Sequence, residues 1–198
     1  RYDFVSWRPR AELRFRLNKS NHLLVDLSHE NKDYQDYDHL GVSNLDYRQS
    51  DLEIGWRKRI SKSFNYTLFA DYSHRLYDDR QAKDITGKNI AELNTEYDYK
   101  GIGIKSRYNL DKRTSLQISA SLRDRQDNAQ GYYDTRSSQA TVRLRHKTKT
   151  DMLLSGSIGY RDLTYDREDI ASDVETADES PSTQGWWVRL YHHQPLFT

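Results

Sequence analysis

The stretch NLDKRTSLQISASLRDRQD, residues 109–127, decides the fold. After a short polar turn, Leu116, Ile118, Ala120 and Leu122 alternate with serine, glutamine and arginine. Successive side chains of a β-strand point to opposite faces of a sheet, so this run predicts a strand with one apolar face and one polar face. The same construction recurs along the chain, and the repetition predicts an all-β protein.

About nine strands follow from this alternation. The predicted strands are 11–17, 23–30, 52–60, 64–73, 91–108, 115–123, 140–145, 154–161 and 186–191. In the strand 91–108 the apolar parity changes near Gly101, because Tyr97 and Tyr99 lie on odd positions whereas Ile102 and Ile104 lie on even ones. A one-residue slip at glycine is typical of a β-bulge, which we therefore predict at Gly101.

The composition of the chain fits a barrel with a polar interior. Only 35% of its 198 residues are hydrophobic, 31% are charged, and the mean hydropathy is −1.03. Such polarity is common in disordered chains, but 15 Tyr, 4 Trp and 5 Phe with only 3 Pro argue against disorder. A membrane-spanning barrel resolves the conflict, because each strand needs an apolar residue only at every second position.

Short connections alternate with long ones along the chain, as in bacterial outer-membrane barrels with short periplasmic turns and longer extracellular loops. We therefore predict one domain, residues 1–198, that forms a transmembrane antiparallel up-and-down β-barrel with about nine to ten strands visible. The first strand would run inward from the cell surface, so we expect a consecutive piece of a larger barrel, with a tenth strand that starts at Leu196. The competing interpretation takes Phe197 as the terminal aromatic residue of a complete barrel.

Basic residues recur on the polar face of the inward-running strands, near their short turns. Five of them occupy equivalent places, and four more lie two residues earlier: Arg16, Arg59, Arg107, Arg145 and Arg189, then Arg14, Arg57, Lys105 and Arg143. In a closed barrel they would line the periplasmic end of the lumen and attract anions. The alternative is that these charges pair with the lumen acids, among them Glu12, Glu53, Glu92 and Glu96, and only hold the wall together.

Other chemistry is weakly indicated. Phe69, Trp187 and Tyr191 share the polar parity and could stack on sugar rings. We predict no catalytic residue, no metal site and no cofactor, because the sequence contains no nucleophile elbow, phosphate-binding glycine loop or metal-ligand cluster. The absence of cysteine excludes disulfides and thiolate chemistry, and the net charge of +1 gives no reason to expect a nucleic-acid partner. The acidic segment 166–179 does not match an EF-hand loop.

The chain resembles Gram-negative outer-membrane β-barrel proteins. The resemblance is carried by the hairpins FRLNKSNHLLVDLSH, WRKRISKSFNYTLFADYSHR, SRYNLDKRTSLQISASLRDR and RLRHKTKTDMLLSGSIGYRD. Three groups look similar: exopolysaccharide-secretion barrels, surface-lipoprotein assembly modifiers, and porin sheaths of multihaem cytochromes. The resemblance implies a place in the outer membrane, with outer-membrane lipid and the barrel-assembly machinery as partners, and with a possible periplasmic or lumen-docked protein partner.

The sequence leaves two candidate functions open. The first is a polar, arginine-lined passive conduit for anionic solutes or for a secreted polymer such as exopolysaccharide. The second is a scaffold barrel that encloses or docks a partner protein, as a cytochrome sheath does, or takes part in the assembly and translocation of surface lipoproteins. An outer-membrane enzyme is disfavoured because no site is evident. A soluble all-β protein with a one-sided sheet is the main structural alternative.

Overall fold

The chain folds into a single antiparallel β-sheet. The computed structural model describes residues 4–34, 45–165 and 182–193, with the backbone alone at 182, 183 and 190–193. The strands are β1 (Phe4–Trp7), β2 (Arg10–Arg16), β3 (Asn21–Tyr34), β4 (Tyr47–Arg59), β5 (Phe64–Lys83), β6 (Asn89–Asn109), β7 (Thr114–Asp127), β8 (Thr135–Lys147), β9 (Leu153–Tyr165) and β10 (Ser182–His193). None of the described residues forms a helix that is long and apolar enough to cross a membrane.

The strands pair in chain order. β1 and β2 both pair with β3, so they occupy one position that is interrupted at residues 8 and 9. Pro9 has no N–H to donate to the ladder, although its carbonyl oxygen still accepts a hydrogen bond from the N–H of His29 at 3.1 Å. The sheet therefore has nine strand positions, which confirms the predicted all-β, antiparallel up-and-down arrangement of about nine strands.

The two edges of the sheet are not joined. Among the described residues, β10 pairs only with β9, and β1 and β2 pair only with β3, so the sheet is open. The expected tenth strand from Leu196 and the acidic segment 166–179 lie outside the described residues. The structure thus shows an open antiparallel sheet.

The predicted β-bulge at Gly101 is wrong. The pairing of β5 with β6 runs without a shift from Leu76 opposite Glu96 to Phe64 opposite Tyr108, and the pairing of β6 with β7 is equally regular. The register shift lies further along, between Leu76 and Gln81. Tyr97, Tyr99 and Gly101 therefore share the polar face, and Glu96 lies on the opposite face instead of among the predicted lumen acids.

Glycine is required on the polar face of β6 because neighbouring side chains lie across its backbone. A Cβ at Gly101 would collide with the carboxylate of Asp71, which reaches over β6 to form an ion pair with Arg123 on β7. A Cβ at Gly103 would collide with the ring of Phe69 and would lie 2.6 Å from the carbonyl oxygen of Ala120. The two glycines thus make room for polar-face groups that cross the sheet.

The polar face of the sheet is concave. Side chains from seven consecutive strands, β2 to β8, line a single cleft of about 540 Å³ on this face. Ion pairs also reach over an intervening strand: the Nζ of Lys105 on β6 lies 2.8 Å from Oε1 of Glu53 on β4. A single cleft shared by seven strands indicates that this face curves inward.

The opposite, convex face carries an exposed apolar band. Ile102 is 61% exposed, Leu122 55% and Val188 67%. The band crosses the strands obliquely, because on β3 it runs from Leu23 to Leu27, whereas the hydrogen-bonded row that contains Leu27 is polar on β7 and β8. On β9 the band has moved towards the short turns and runs from Leu154 to Tyr160.

Three of the short turns are closed by the same device. The side-chain oxygen at the second position, from Asn18, Ser61 or Asp111, accepts hydrogen bonds from the backbone N–H groups two and three residues later. Asparagine, serine and aspartate are favoured in turns because they can satisfy the backbone in this way. The turns LNKS, ISKS and LDKR therefore form an internal repeat that fixes the register of each hairpin.

We expect Gly103→Ala to destabilise the sheet by about 1–3 kcal/mol, since the added methyl group forces the backbone of Ala120 or the ring of Phe69 to move. The matched control is Gly185→Ala, because nothing lies within 4 Å of a Cβ at Gly185. The control should change the free energy of unfolding by less than about 0.5 kcal/mol. Urea unfolding of the refolded chain, followed by tryptophan fluorescence, measures both, and equal effects would contradict the close packing over Gly103.

Candidate functional site: an arginine row on the concave face

Four arginines of the concave face lie in one hydrogen-bonded row of the sheet, on every second strand. They are Arg59 on β4, Arg107 on β6, Arg143 on β8 and Arg189 on β10. The strands between them contribute neutral polar side chains to the same row, namely Asn65, Gln117 and Ser157. We call these four residues the arginine row.

The alternation keeps like charges apart. Neighbouring strands of a sheet are about 4.8 Å apart, so strands two positions apart are separated by about 10 Å. Like charges directly opposite each other would destabilise the sheet, whereas at about 10 Å the repulsion is largely screened by physiological salt. The sequence thus builds a line of positive charge with little cost to the fold.

The register places the other predicted cations in neighbouring rows. Arg16, Arg57 and Lys105 share the next row, and Arg14 lies one row beyond them. The five predicted equivalents therefore do not share one row: Arg16 lies one row further from the short turns than Arg59, and Arg145 lies one row closer, opposite Ser115. Counting from the turns fails here because the turns begin at different distances from the paired rows.

Only some of these cations are neutralised by carboxylates. Lys105 pairs with Glu53, and Nη2 of Arg14 lies 3.3 Å from Oε1 of Glu12. Arg57 instead donates to the hydroxyl of Thr67. Within the described residues, the arginine row forms no salt bridge to aspartate or glutamate, nor do Arg16, Arg57 and Arg145. Carboxylates therefore pair with two of the nine predicted cations, and only the pair of Lys105 with Glu53 joins different strands, because Arg14 and Glu12 both lie on β2.

The cations open onto two adjoining clefts. Seven of the nine predicted residues line the cleft of about 540 Å³: Arg14, Arg57, Arg59, Lys105, Arg107, Arg143 and Arg145. A second cleft of about 410 Å³ brings Arg143 and Arg189 together with Arg161 and Trp187. Both clefts share Gln117 and Arg143, so they form one continuous polar surface.

The concave face is divided into halves of different charge. On β2 to β5 a single row is acidic, with Glu12, Asp26, Glu53 and Asp71 side by side. On β7 to β10 the only described carboxylate of this face is Asp127. It accepts hydrogen bonds from the backbone N–H groups of residues 129, 131 and 133. The second half therefore carries an excess of positive charge.

Two of the predicted sugar-stacking aromatics lie over glycines. The ring of Phe69 covers Gly103, and the ring of Trp187 covers Gly159. Trp187 also faces the guanidinium of Arg189, whose Cζ lies 5.0 Å from the ring centroid. The side chain of Tyr191 lies outside the described residues. The stacking role stays a prediction, since no described contact tests it.

Sequence reasoning missed a second cationic site at the other end of the concave face, which we call the tyrosine–arginine cleft. Its residues line one cleft of about 460 Å³: Arg75, Tyr77, Arg80, Lys83, Tyr97, Tyr99, Arg125, Tyr132, Tyr133 and Tyr165. The alternation Arg75–Tyr77 and the placement of Tyr97 and Tyr99 on the parity of Gly101 were the available signals. They were obscured by the assumed bulge, which turned both tyrosines outward.

The described residues contain no group of three or more histidine, aspartate or glutamate side chains arranged to hold a metal ion. Comparison of the chain with protein-family models, with curated proteins and with solved structures found no match.

We expect the pair Asp71–Arg123 to contribute up to about 1 kcal/mol of coupling in a double-mutant cycle built from Asp71→Asn and Arg123→Gln, because the Asp71 side chain is only 9% exposed. Half of the Arg123 side chain is exposed, which keeps the coupling from being larger. The control cycle is Asp124→Asn with Arg136→Gln, a pair on the convex face with both partners exposed. Unfolding free energies measure both cycles, and equal couplings would contradict a stabilising ion pair that crosses β6 over Gly101.

Proposed function

We propose that the sheet closes into a transmembrane β-barrel in the outer membrane of a Gram-negative bacterium. Its concave face would line a passive, polar conduit that favours anionic solutes or an anionic secreted polymer. The observation that supports this proposal most strongly is the distribution of polar and apolar residues between the two faces of the sheet. Its concave face is charged, whereas its convex face exposes a broad apolar band. A water-soluble sheet would bury the apolar face, and a barrel in lipid turns that face outward.

The oblique course of the apolar band supports the same proposal. Strands of outer-membrane barrels are tilted by about 35–45° from the membrane normal, so a lipid-facing band must cross them at an angle. The band of this sheet moves towards the short turns from β3 to β9. A soluble one-sided sheet has no reason to keep its apolar residues in a layer of this kind.

Closure follows from the properties of the bilayer. The backbone N–H and C=O groups at the edge of a sheet cannot stay unpaired in hydrocarbon, since each would cost several kcal/mol. In the proposed barrel the edge formed by β1 and β2 and the edge of β10 are therefore both paired.

Anion preference rests on the arginine row and on the cationic half of β7 to β10. Charges that lie on the walls of a narrow passage within low-dielectric surroundings concentrate counter-ions. Serine, threonine and glutamine side chains between the arginines supply neutral hydrogen-bond partners, for example Ser119, Gln139 and Thr141 in the second cleft. The mechanism is passive, with passage set by width, lining and charge.

A scaffold barrel is the second candidate, and the acidic row on β2 to β5 favours it. Each of the four carboxylates already pairs with a cation of the wall, namely Arg14, Arg10, Lys105 or Arg123. A docked protein with basic and acidic patches would exchange these pairs for pairs across its interface, whereas a simple anion path gains nothing from the carboxylates. On this proposal the lumen charges are interface residues. An isolated barrel would still conduct ions, and addition of the partner would block it.

We expect Ile104→Arg to destabilise the protein by about 2–4 kcal/mol in phospholipid vesicles, because it places a charge in the middle of the apolar band. Ile60→Arg is the control, because it makes the same substitution beside a short turn, where it should cost at most about 1 kcal/mol. Unfolding free energies in vesicles provide the comparison. If the chain is monodisperse in buffer without detergent and tolerates Ile104→Arg, the membrane proposal fails.

We expect the reconstituted chain to conduct ions in planar bilayers and to prefer chloride over potassium. Replacing both Arg107 and Arg143 by glutamine should shift the reversal potential towards zero, because it removes two charges of the arginine row. Lys58→Gln removes a charge from the convex face of β4 and should leave the reversal potential unchanged. Cation preference in the unmodified protein, or an identical shift in both variants, would overturn the anion conduit.

A further inference from the structure

The tyrosine–arginine cleft lies apart from the arginine row, at the end of the concave face that is remote from the short turns. Four basic side chains line it: Arg75, Arg80, Lys83 and Arg125. On the convex face at the same level the residues are polar, with His74 3.0 Å from Asp98 and 3.8 Å from Glu96. The cleft therefore lies beyond the apolar band, in the part of the sheet that would be in water.

No carboxylate neutralises these four charges among the described residues. Nε of Arg75 donates to Oε1 of Gln49 at 2.7 Å, and its Nη1 lies 3.3 Å from the hydroxyl of Tyr77. Arg125 donates twice to the backbone carbonyl of Tyr133, at 2.9 and 2.6 Å. The lining of the cleft contains no aspartate or glutamate. The side chains that line the cleft thus carry four positive charges around about 460 Å³.

Tyrosine rings hold the cations in place without removing their charge. The Cζ of Arg80 lies 5.2 Å from the ring centroid of Tyr77 and 5.0 Å from that of Tyr133, and the Cζ of Arg125 lies 4.8 Å from Tyr97. Such contacts orient a cation over a ring. Burial raises the pKa of Tyr97, which is only 3% exposed, so its hydroxyl stays neutral at physiological pH and supplies no counter-charge.

The walls of the cleft are fixed by polar contacts in two connections. The carboxylate of Asp127 accepts three backbone N–H groups of the connection between β7 and β8, including that of Tyr133 at 2.8 Å. The ring of Tyr132 packs on Gly87, where a Cβ would lie 3.0 Å from Cε2. Gly87 has a φ of +84°, a conformation that favours glycine, and Asp84 closes its turn. A ligand would therefore meet a largely preformed site.

We propose that the tyrosine–arginine cleft binds a solute, or one unit of a polymer, that carries two or more phosphate or carboxylate groups. Guanidinium groups match such oxyanions in geometry and charge, and several uncompensated cations around one cavity favour a multivalent ligand over a single small anion. The cleft opens on the concave face and not towards the apolar band, so the ligand is a water-borne group and not a lipid headgroup. This inference does not require that the chain conducts ions.

Titration calorimetry on the purified chain in neutral detergent tests the site, with tripolyphosphate and citrate as probes and sucrose as the neutral reference. We expect saturable binding of at least one anion and none of sucrose. Tighter binding of tripolyphosphate assigns a phosphate-bearing ligand, and tighter binding of citrate a carboxylate-bearing one. The variant with both Arg80→Gln and Lys83→Gln should bind at least tenfold more weakly, whereas Lys100→Gln, on the convex face, should bind normally. Absence of binding, or equal affinity in the double variant, overturns the proposal.

A second measurement needs no substitution. Acetylation of lysines by a limiting reagent, read by mass spectrometry, should slow severalfold at Lys83 when the better probe is added, with Lys100 as the internal control. An unchanged rate at Lys83 contradicts the site even if both substitutions prevent folding. Binding without conductance would leave this inference intact and remove the conduit, and conductance without binding would do the reverse.

Discussion

The unbroken antiparallel register from β3 to β10 is the constraint on which the other features depend. Side chains alternate along each strand, and the register shifts only where β5 and β6 extend past the apolar band. The register therefore determines, for every charged residue between the short turns and that point, whether it lies on the concave or the convex face. A slip of one residue in any hairpin would bring arginines to the apolar side. The side-chain hydrogen bonds in the turns at Asn18, Ser61 and Asp111 oppose such a slip, since each fixes the pairing at the point where a hairpin begins.

Much of the fold could be predicted from the sequence because a period of two is visible without tertiary information. The strand at Leu116–Leu122, the short turns and the polar face that carries the arginines all follow from it. Gly101 was misjudged because apolar character was used as the guide to facing, and tyrosine is compatible with either face. Tyr97 faces inward because Arg75 and Arg125 lie beside it, and those neighbours are defined only by strand pairing.

The two cationic sites share the concave face but differ in construction. The arginine row spaces its charges across neutral strands, so each guanidinium remains accessible and is weakly held. The tyrosine–arginine cleft instead gathers its charges around a cavity and fixes them against rings, for example Arg80 between Tyr77 and Tyr133. The first arrangement suits transient contacts with many anions, and the second suits a stoichiometric complex. An anion entering from the long-connection end would meet the selective site before the permissive one.

The oblique apolar band changes what the arginine row means in a membrane. The row follows the hydrogen bonds of the sheet, whereas the band crosses the strands obliquely, and the two diverge from strand to strand. Arg59 lies beyond the band, next to a short turn, while Arg189 lies beside Val188, well within it. Four charges that form a straight line on the sheet would therefore follow a helical path around the lumen of a closed barrel, with each arginine deeper in the membrane than the one before it. An anion on this path would move from one guanidinium group to the next, so the free-energy barrier to its passage would be divided among several depths.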